Sequence, residues 1–451
     1  MCALSRRSFV RSLALASAAL STPARALSTS AERTRLGLIG CGWYGGVNLE
    51  TFLRLGNVEV VSLCDPNQRA LQRTLATVAS HQTAVPRTFA DYRDMLAAGP
   101  HDIVIIATPD HWHALPAIAA LEAGADLLLE KPISVDVLEG EAVLATARRQ
   151  RRVVQVNTQR RGFPFYAKIR DQYLRSGRLG RIGRVETYSY LADGLTTTVP
   201  EQPVPDHLDY DLWTGPAPQR PFLAPKESRG WRNFIEYGNG PIGDLGVHMI
   251  DKARWLLHLG WPQRISCTGG RLIHRASSAT VPDTQYAVFS YPEFDLTWEH
   301  RTWGASPIPQ RHWSDQWGVR ILGEGGTLNL TMYEAVFTPS DGGPREGRHL
   351  LSTTGDLENV DFSREAEVYS ELNTLHVRDF LRAREAQTRP AADIEHGHIS
   401  TACCVLANLA LRLNRPLAYD PATRTVRGDD EATRLLARPY REPWVHPAAH
   451  L

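Results

Sequence analysis

No stretch of this 451-residue chain stays apolar for long enough to cross a bilayer. The run Leu13 to Leu20 near the amino terminus falls well short of the roughly 20 residues a spanning helix needs, so no stable membrane insertion is expected. Charge of one sign is lacking too: 50 Lys and Arg face 49 Asp and Glu, and such a balance gives nucleic acid or an anionic membrane no electrostatic hold. Cysteine is scarce, with six residues and no C-x-x-C spacing, which excludes a zinc-ribbon site and a disulfide framework. Cys403 and Cys404 sit together in an apolar helical stretch and read as small core residues. Internal repeats and low-complexity blocks are absent. What remains, 43% hydrophobic and 22% charged residues, is the composition of a globular chain with two or three domains.

The first residues form a recognisable address. Ser5-Arg6-Arg7-Ser8-Phe9-Val10 is followed by the short apolar run and by Ala24-Arg25-Ala26, a basic region, a hydrophobic region and an A-x-A cleavage site in order. The paired arginines resemble a twin-arginine signal over residues 1–26, which predicts a periplasmic or secreted protein. Its removal takes away four arginines and no acid, turning the net charge from +1 to −3.

From Arg35 onward, strands that are apolar on both faces alternate with helices. Leu36–Ile39, Val58–Cys64, Ile103–Ala107, Leu127–Leu129 and Val153–Val156 are separated by helical segments near 47–55, 113–122 and 137–149. That alternation predicts a doubly wound parallel sheet, a Rossmann domain over 33–157. After Gln159 the pattern changes to apolar–polar alternation with short turns at Pro292-Glu293 and Gly325-Gly326. A mostly antiparallel, open sheet covered by helices on one face is expected over 158–420, with 421–451 as a carboxy-terminal extension; the fold class is α/β followed by α+β. Residues 192–228 read as a long ordered loop and 342–358 as a looser one.

Gly40-Cys41-Gly42-Trp43-Tyr44-Gly45 follows the first strand and opens a helix, the context in which G-x-G-x-x-G binds a pyrophosphate on helix N–H groups. Asp65 ends the next strand, 20 residues after Gly45, where a carboxylate accepts hydrogen bonds from both ribose hydroxyls. It would repel a ribose phosphate, so NAD is expected and NADP is less favoured; Arg69 nearby leaves NADP open.

Two further motifs stand at the ends of parallel strands: Thr108-Pro109-Asp110-His111-Trp112-His113, then Glu130-Lys131-Pro132. Together with the glycine loop and the later Gly243-Asp244-Leu245-Gly246-Val247-His248, these resemble the glucose-fructose oxidoreductase / inositol dehydrogenase / MocA family, over roughly residues 35 to 420. The resemblance implies a substrate domain often used for dimerisation, hence a dimer or tetramer, and hydride transfer between a sugar-like alcohol and the nicotinamide. It carries over Lys131, Asp244 and His248 as catalytic residues.

Physical chemistry supports those roles. Removing hydride from a secondary alcohol leaves a proton to be taken from oxygen, and histidine suits that task. If Gly243 opens a helix, Asp244 and His248 lie one turn apart, so His248 is expected as base, Asp244 as its orienter, and Lys131 as the cation on the hydroxyl. Asp244 has the alternative of a helix cap, and which of Lys131 and His248 moves the proton stays open. Thr108, Pro109, His111, His113, Glu130, Gln159, Trp231 and Arg232 are expected around the cofactor, with Arg160 and Tyr237 on the substrate and Asn157 and Trp213 as further neighbours. The aromatic-rich segment 300–317 is a further candidate for the site and reads at least as well as sheet packing or a dimer contact. Histidines at i, i+2 with no second cluster make a poor metal site, and none is expected.

Compartment constrains mechanism. Outside the cytoplasm no nicotinamide pool exists for exchange, so the cofactor is expected to stay bound and be recycled. Coupled oxidation and reduction of sugars is the first expectation, cleavage of glycosides through transient oxidation the alternative, and a non-catalytic carbohydrate-binding protein that retains NAD the second alternative.

Overall fold

The computed structural model describes residues 33–191, 196–223, 230–308 and 311–451; the signal expected over 1–26 lies outside the described residues. The first domain contains β1 (Thr34–Ile39), β2 (Val58–Cys64), β3 (Arg87–Phe89), β4 (Ile103–Ile106), β5 (Asp126–Leu129) and β6 (Val154–Val156), all parallel, in the order β3-β2-β1-β4-β5-β6. The helices α1 (Trp43–Leu55), α2 (Gln68–Ala79), α3 (Tyr92–Ala97), α4 (Ala114–Glu122) and α5 (Val137–Gln150) connect them. Every residue of β4 is buried, as a central strand covered on both faces requires. Strand order reverses between β1 and β4, and the crevice beyond their carboxyl ends is where such sheets bind ligands.

Local chemistry fixes the helix starts. Asn67 caps α2 by accepting from the N–H groups of Arg69 and Ala70, and Asp136 caps α5 through the N–H of Glu139. Strand β3 escaped the sequence reading because Arg87-Thr88-Phe89 is a short edge with no buried residue, and edges need no apolar run.

The second sheet holds β7 (Ile182–Ser189), β8 (Arg264–Gly270), β9 (Thr284–Ser290), β10 (Asp295–Arg301), β11 (Trp317–Gly323), β12 (Gly326–Leu330), β13 (Glu334–Pro339) and β14 (Glu346–His349), in the order β14-β13-β12-β11-β7-β10-β9-β8. All neighbours are antiparallel except β7 and β10. After the short α6 (Pro164–Ile169) and α7 (Tyr210–Thr214), the inner residues Val185, Phe289, Trp298, Val319 and Leu328 pack in one core with Ile250 of α8 (Val247–Leu257) and Leu406 of α10 (Ile394–Leu413). Part of the expected loose segment 342–358 is in fact β14, whose polar sequence hid it.

The two domains are stitched together. Val377 and Phe380 of α9 (Glu365–Ala386) enter the core of the first domain beside Leu49 and Phe52. The chain end does likewise: β15 (Tyr419–Asp420) pairs with β16 (Thr425–Val426) across the boundary expected at 420. Further on, the carbonyl of Leu436 accepts from the N–H groups of Val137 and Leu138, and Trp444 packs edge-on against Trp112 with ring centroids 4.7 Å apart. No helix among the described residues is long and apolar enough to cross a membrane.

Candidate active site

One cavity of about 900 Å³ runs between the domains at the carboxyl ends of β1, β2, β4 and β5. Its first end is built by backbone. Gly40 has φ +96°, and a Cβ there would stand 2.5 Å from the Ala107 backbone; one on Gly45 would stand 2.0 Å from the Gly40 carbonyl oxygen. Neither position has room for a side chain. Gly42, in contrast, lines the cavity, and a Cβ on it would meet no atom within 4 Å, so open space lies above the start of α1. This is where an anion meets the helix N–H groups.

Asp65 lines the same end. Its Oδ2 accepts from the Cys41 N–H and its Oδ1 from the Asn67 N–H, both at 2.8 Å. Burial pushes its pKa up to about 6, against the pull of those two N–H groups and of Arg73. Each carboxylate oxygen keeps a lone pair for a ribose hydroxyl, so the loop and the acid fit a dinucleotide. Arg73, rather than the Arg69 anticipated from sequence, lines the wall here.

At the other end charge does the positioning. Lys131 Nζ donates to Asp244 Oδ1 at 2.6 Å and to the Asp244 carbonyl at 2.8 Å, and Arg232 Nε stands 3.2 Å from the same Oδ1. Both Lys131 and Asp244 are nearly enclosed, where such a pair is stronger than in water. The expected alignment of Asp244 with His248 is corrected by the backbone: Ile242–Gly246 forms a widened turn with i→i+5 bonding before α8 begins. Asp244 Oδ1 is taken by Lys131 and Arg232, while His248 Nδ1 has no hydrogen-bond partner. Burial, with Arg160 and Lys131 nearby, drives the His248 pKa well below the usual histidine value, so its imidazole is neutral at neutral pH.

The remaining anticipated residues divide clearly. Trp43, Tyr44, Thr108, Pro109, His113, Glu130, Gln159, Arg160, Trp231, Arg232 and Tyr237 line the cavity with Lys131, Asp244 and His248. Gln159 Nε2 donates to the Tyr44 hydroxyl at 2.6 Å, and Glu130 accepts from Asn48 Nδ2 at 3.0 Å and from Asn157 Nδ2. His113 is clamped between the carbonyls of Pro132 (2.5 Å) and Thr108 (2.9 Å), joining the two strand-end motifs. Cys41 reaches the site only through its N–H; its thiol is buried against the Cys64 carbonyl.

His111 does not line the cavity. Its Nε2 lies 3.0 Å from the Trp213 carbonyl oxygen and its Nδ1 3.4 Å from that of Tyr237, so it holds a strap of the second domain instead. The strap is residues 207–223. It bonds to the loop that follows Asp65 through Gln68 N–H to the His207 carbonyl (2.9 Å) and Asp209 N–H to the Pro66 carbonyl (3.1 Å). Trp112 Nε1 donates to its Trp213 carbonyl at 2.9 Å, and Arg441 binds Asp211 Oδ1 at 2.6 Å and the Gly215 carbonyl at 2.9 Å. Leu208, Tyr210, Leu212 and Trp213 thus roof the cavity beside Asp65.

Two features were missed or left open by the sequence reading. Asp110, only 2% exposed, has an Oδ1 without a hydrogen-bond partner, and burial raises its pKa to about 7 despite Arg232 and Lys131. Its place inside the strand-end motif was the available signal, but nothing in sequence shows burial of a single acid. The aromatics Trp313 and Trp317 also line the cavity, as does Glu365 at the start of α9.

A Rossmann sheet ending in a glycine loop and an acid, facing a lysine, an aspartate and a histidine from a second α/β domain, defines a two-domain dinucleotide-binding oxidoreductase fold. The chain belongs to the Gfo/Idh/MocA family: the model of its NAD-binding Rossmann fold matches residues 34–158, and that of its C-terminal alpha/beta domain matches 186–293 and 356–446. Among solved structures it is similar to the WlbA dehydrogenase from Bordetella pertussis in complex with NADH and UDP-GlcNAcA, with a TM-score of 0.61 at 20% identity over 86% of this chain and 99% of that one. A putative myo-inositol dehydrogenase from Sinorhizobium meliloti gives 0.56 at 19% identity over 85% and 99%. At such identity the likeness is one of fold. By sequence the chain is 36% identical over 119 residues to a glycosyl hydrolase family 109 protein of Shewanella baltica, and 34% identical over 122 residues to an alpha-N-acetylgalactosaminidase of Shewanella oneidensis. These matches span about a quarter of each protein, 26% of this chain and 26% and 27% of the relatives.

Proposed function

We propose that this protein oxidises a CH–OH group of a sugar or sugar-like polyol with NAD that stays bound between turnovers. The observation that supports this most directly is the single cavity, which joins the glycine loop and Asp65 to the Lys131–Asp244 pair and His248. Bound NAD supplies a hydride acceptor at the carbinol carbon. The ammonium of Lys131, oriented by Asp244, donates to the substrate hydroxyl and stabilises negative charge as it develops on that oxygen. The neutral imidazole of His248 takes the hydroxyl proton, the electron pair of the C–H bond having left as hydride and that of the O–H bond remaining to form the carbonyl. The strap over Asp65 supports retention of the cofactor, because leaving requires breaking its bonds to residues 66–68. Retention suits an exported protein, and we propose periplasmic or secreted localisation after twin-arginine export, together with assembly into a dimer or tetramer on the outer face of the eight-stranded sheet.

A second reading has its own support. The sequence similarity to glycosidases, though it spans a quarter of the chain, favours transient oxidation of a glycoside followed by loss of the aglycone. One experiment separates the readings. The protein is purified from its native compartment, its dinucleotide identified by mass spectrometry, and monosaccharides and p-nitrophenyl glycosides are added while nicotinamide absorbance and p-nitrophenol are followed. Lasting reduction of the cofactor by a free sugar, reversed by a second sugar, supports the dehydrogenase; nitrophenol release with no net reduction supports the glycosidase. A bound dinucleotide that responds to neither class sinks both and leaves a carbohydrate-binding protein.

A further inference from the structure

Beyond the reacting pair, the cavity has an aromatic wall to which the proposed chemistry gives no task. Trp317 packs edge-on against His248, with ring centroids 6.1 Å apart, and the Arg160 guanidinium lies 4.7 Å from the Trp317 ring. Trp317 is thus buried between the two, at 5% exposure. Trp313 stacks on it in turn, with centroids 6.2 Å apart and planes inclined by 21°, yet keeps 41% of its surface exposed while lining the cavity. Its orientation is fixed: Nε1 donates to Glu365 Oε1 at 3.0 Å, and the Tyr333 hydroxyl donates to the same oxygen at 3.0 Å. A large indole that is rigid, exposed and turned into a ligand cavity is an expensive arrangement unless something covers it.

We infer that Trp313 is the platform of a second sugar subsite, so that the substrate is a saccharide of at least two rings rather than a free monosaccharide. This rests on the reading of the site under Proposed function. Trp317 stands 6.1 Å from His248 and 6.2 Å from Trp313 by ring centroids, so the exposed indole lies on the same cavity wall as the reacting end, one side chain further along. The electron-rich face of an indole attracts the polarised C–H groups on the flat side of a pyranose. Glu365, which also lines the cavity and whose Oε2 lies 3.4 Å from His312 Nε2, holds the edge of that indole and leaves its face to a ligand.

The test measures binding to the NAD-loaded protein by calorimetry, using glucose, galactose and N-acetylglucosamine against maltose, cellobiose, lactose and chitobiose, with p-nitrophenyl glycosides of the three monosaccharides as a third arm. At least one disaccharide should bind about tenfold tighter than its own monosaccharide. Trp313→Ala should shrink that ratio about tenfold and Trp313→Phe should largely preserve it, with retained NAD and an unchanged circular dichroism spectrum confirming folded protein. A ratio near one in the unmodified protein, or a ratio that Trp313→Ala leaves intact, overturns the subsite while leaving the oxidoreductase reading in place. Tighter binding of the nitrophenyl glycosides than of any disaccharide overturns the choice of sugar as second ring. Failure of every compound to bind overturns both this inference and the reading beneath it.

Discussion

At the nucleotide end of the cavity, positions are set by backbone and by the absence of side chains; at the reaction end, they are set by charges reaching across from different elements. Gly40 and Gly45 leave no room for a single carbon, and Asp65 is held by two N–H groups of its own neighbourhood. Lys131, Arg232 and Asp244 come from three separate segments and meet through ionic and hydrogen bonds, with His248 four residues beyond Asp244 on the same wall. The contrast teaches where failure should appear: damage at the first end should show as lost affinity, and damage at the second as lost rate with affinity kept.

The largest effect expected is on rate. Lys131→Ala should slow hydride transfer by at least about 100-fold in single-turnover absorbance measurements, the usual worth of a positioned acid–base or cationic group, while NAD remains bound. Loss of NAD along with rate would erase the division between the two ends. Gly45→Ala should act the other way, weakening NAD by roughly tenfold or more in calorimetry, since overpacking of about 1–3 kcal/mol converts to a decade per about 1.4 kcal/mol.

Asp65→Ala should narrow the preference for NAD over NADP by about tenfold, from a charged hydrogen bond worth roughly 1.5–3 kcal/mol; equal selectivity would mean another residue reads the ribose. Arg441→Ala, which frees one side of the strap, should speed NAD dissociation a few-fold at about 0.5–1.5 kcal/mol per bond lost, as read by dilution into a nucleotide scavenger. The smallest effect is in pH. The Asp65 carboxyl is charged above about 6 and neutral below, so the NAD to NADP affinity ratio should fall as pH drops through about 6, because protonation removes the repulsion of a ribose phosphate. A ratio flat from pH 8 to 5 would contradict it.

How much of this was legible in sequence follows the same division. The glycine loop, Asp65 and the five apolar strands could be read because each is local: a run of buried residues, a turn without side chains, an acid at a fixed distance. His111 could not be placed from its motif, since its neighbour His113 faces the cavity while His111 turns to the carbonyls of Trp213, in the strap, and Tyr237, both more than a hundred residues away in sequence. The expected Asp244–His248 pair failed for a similar reason. Lys131, more than a hundred residues earlier, takes the aspartate's carboxylate, and i, i+4 spacing alone does not reveal it. Strands β3 and β14 stayed hidden because edge strands lack the buried apolar pattern.

What the sequence determined by itself is the family, the parallel sheet and the chemistry available, because apolar periodicity, glycine sterics and residue type act over short stretches of chain. Which carboxylate meets the lysine, what roofs the nucleotide and which tryptophan faces the cavity were decided only by tertiary structure. Those contacts join residues far apart in the chain, and their strength depends on burial, which only the folded protein creates.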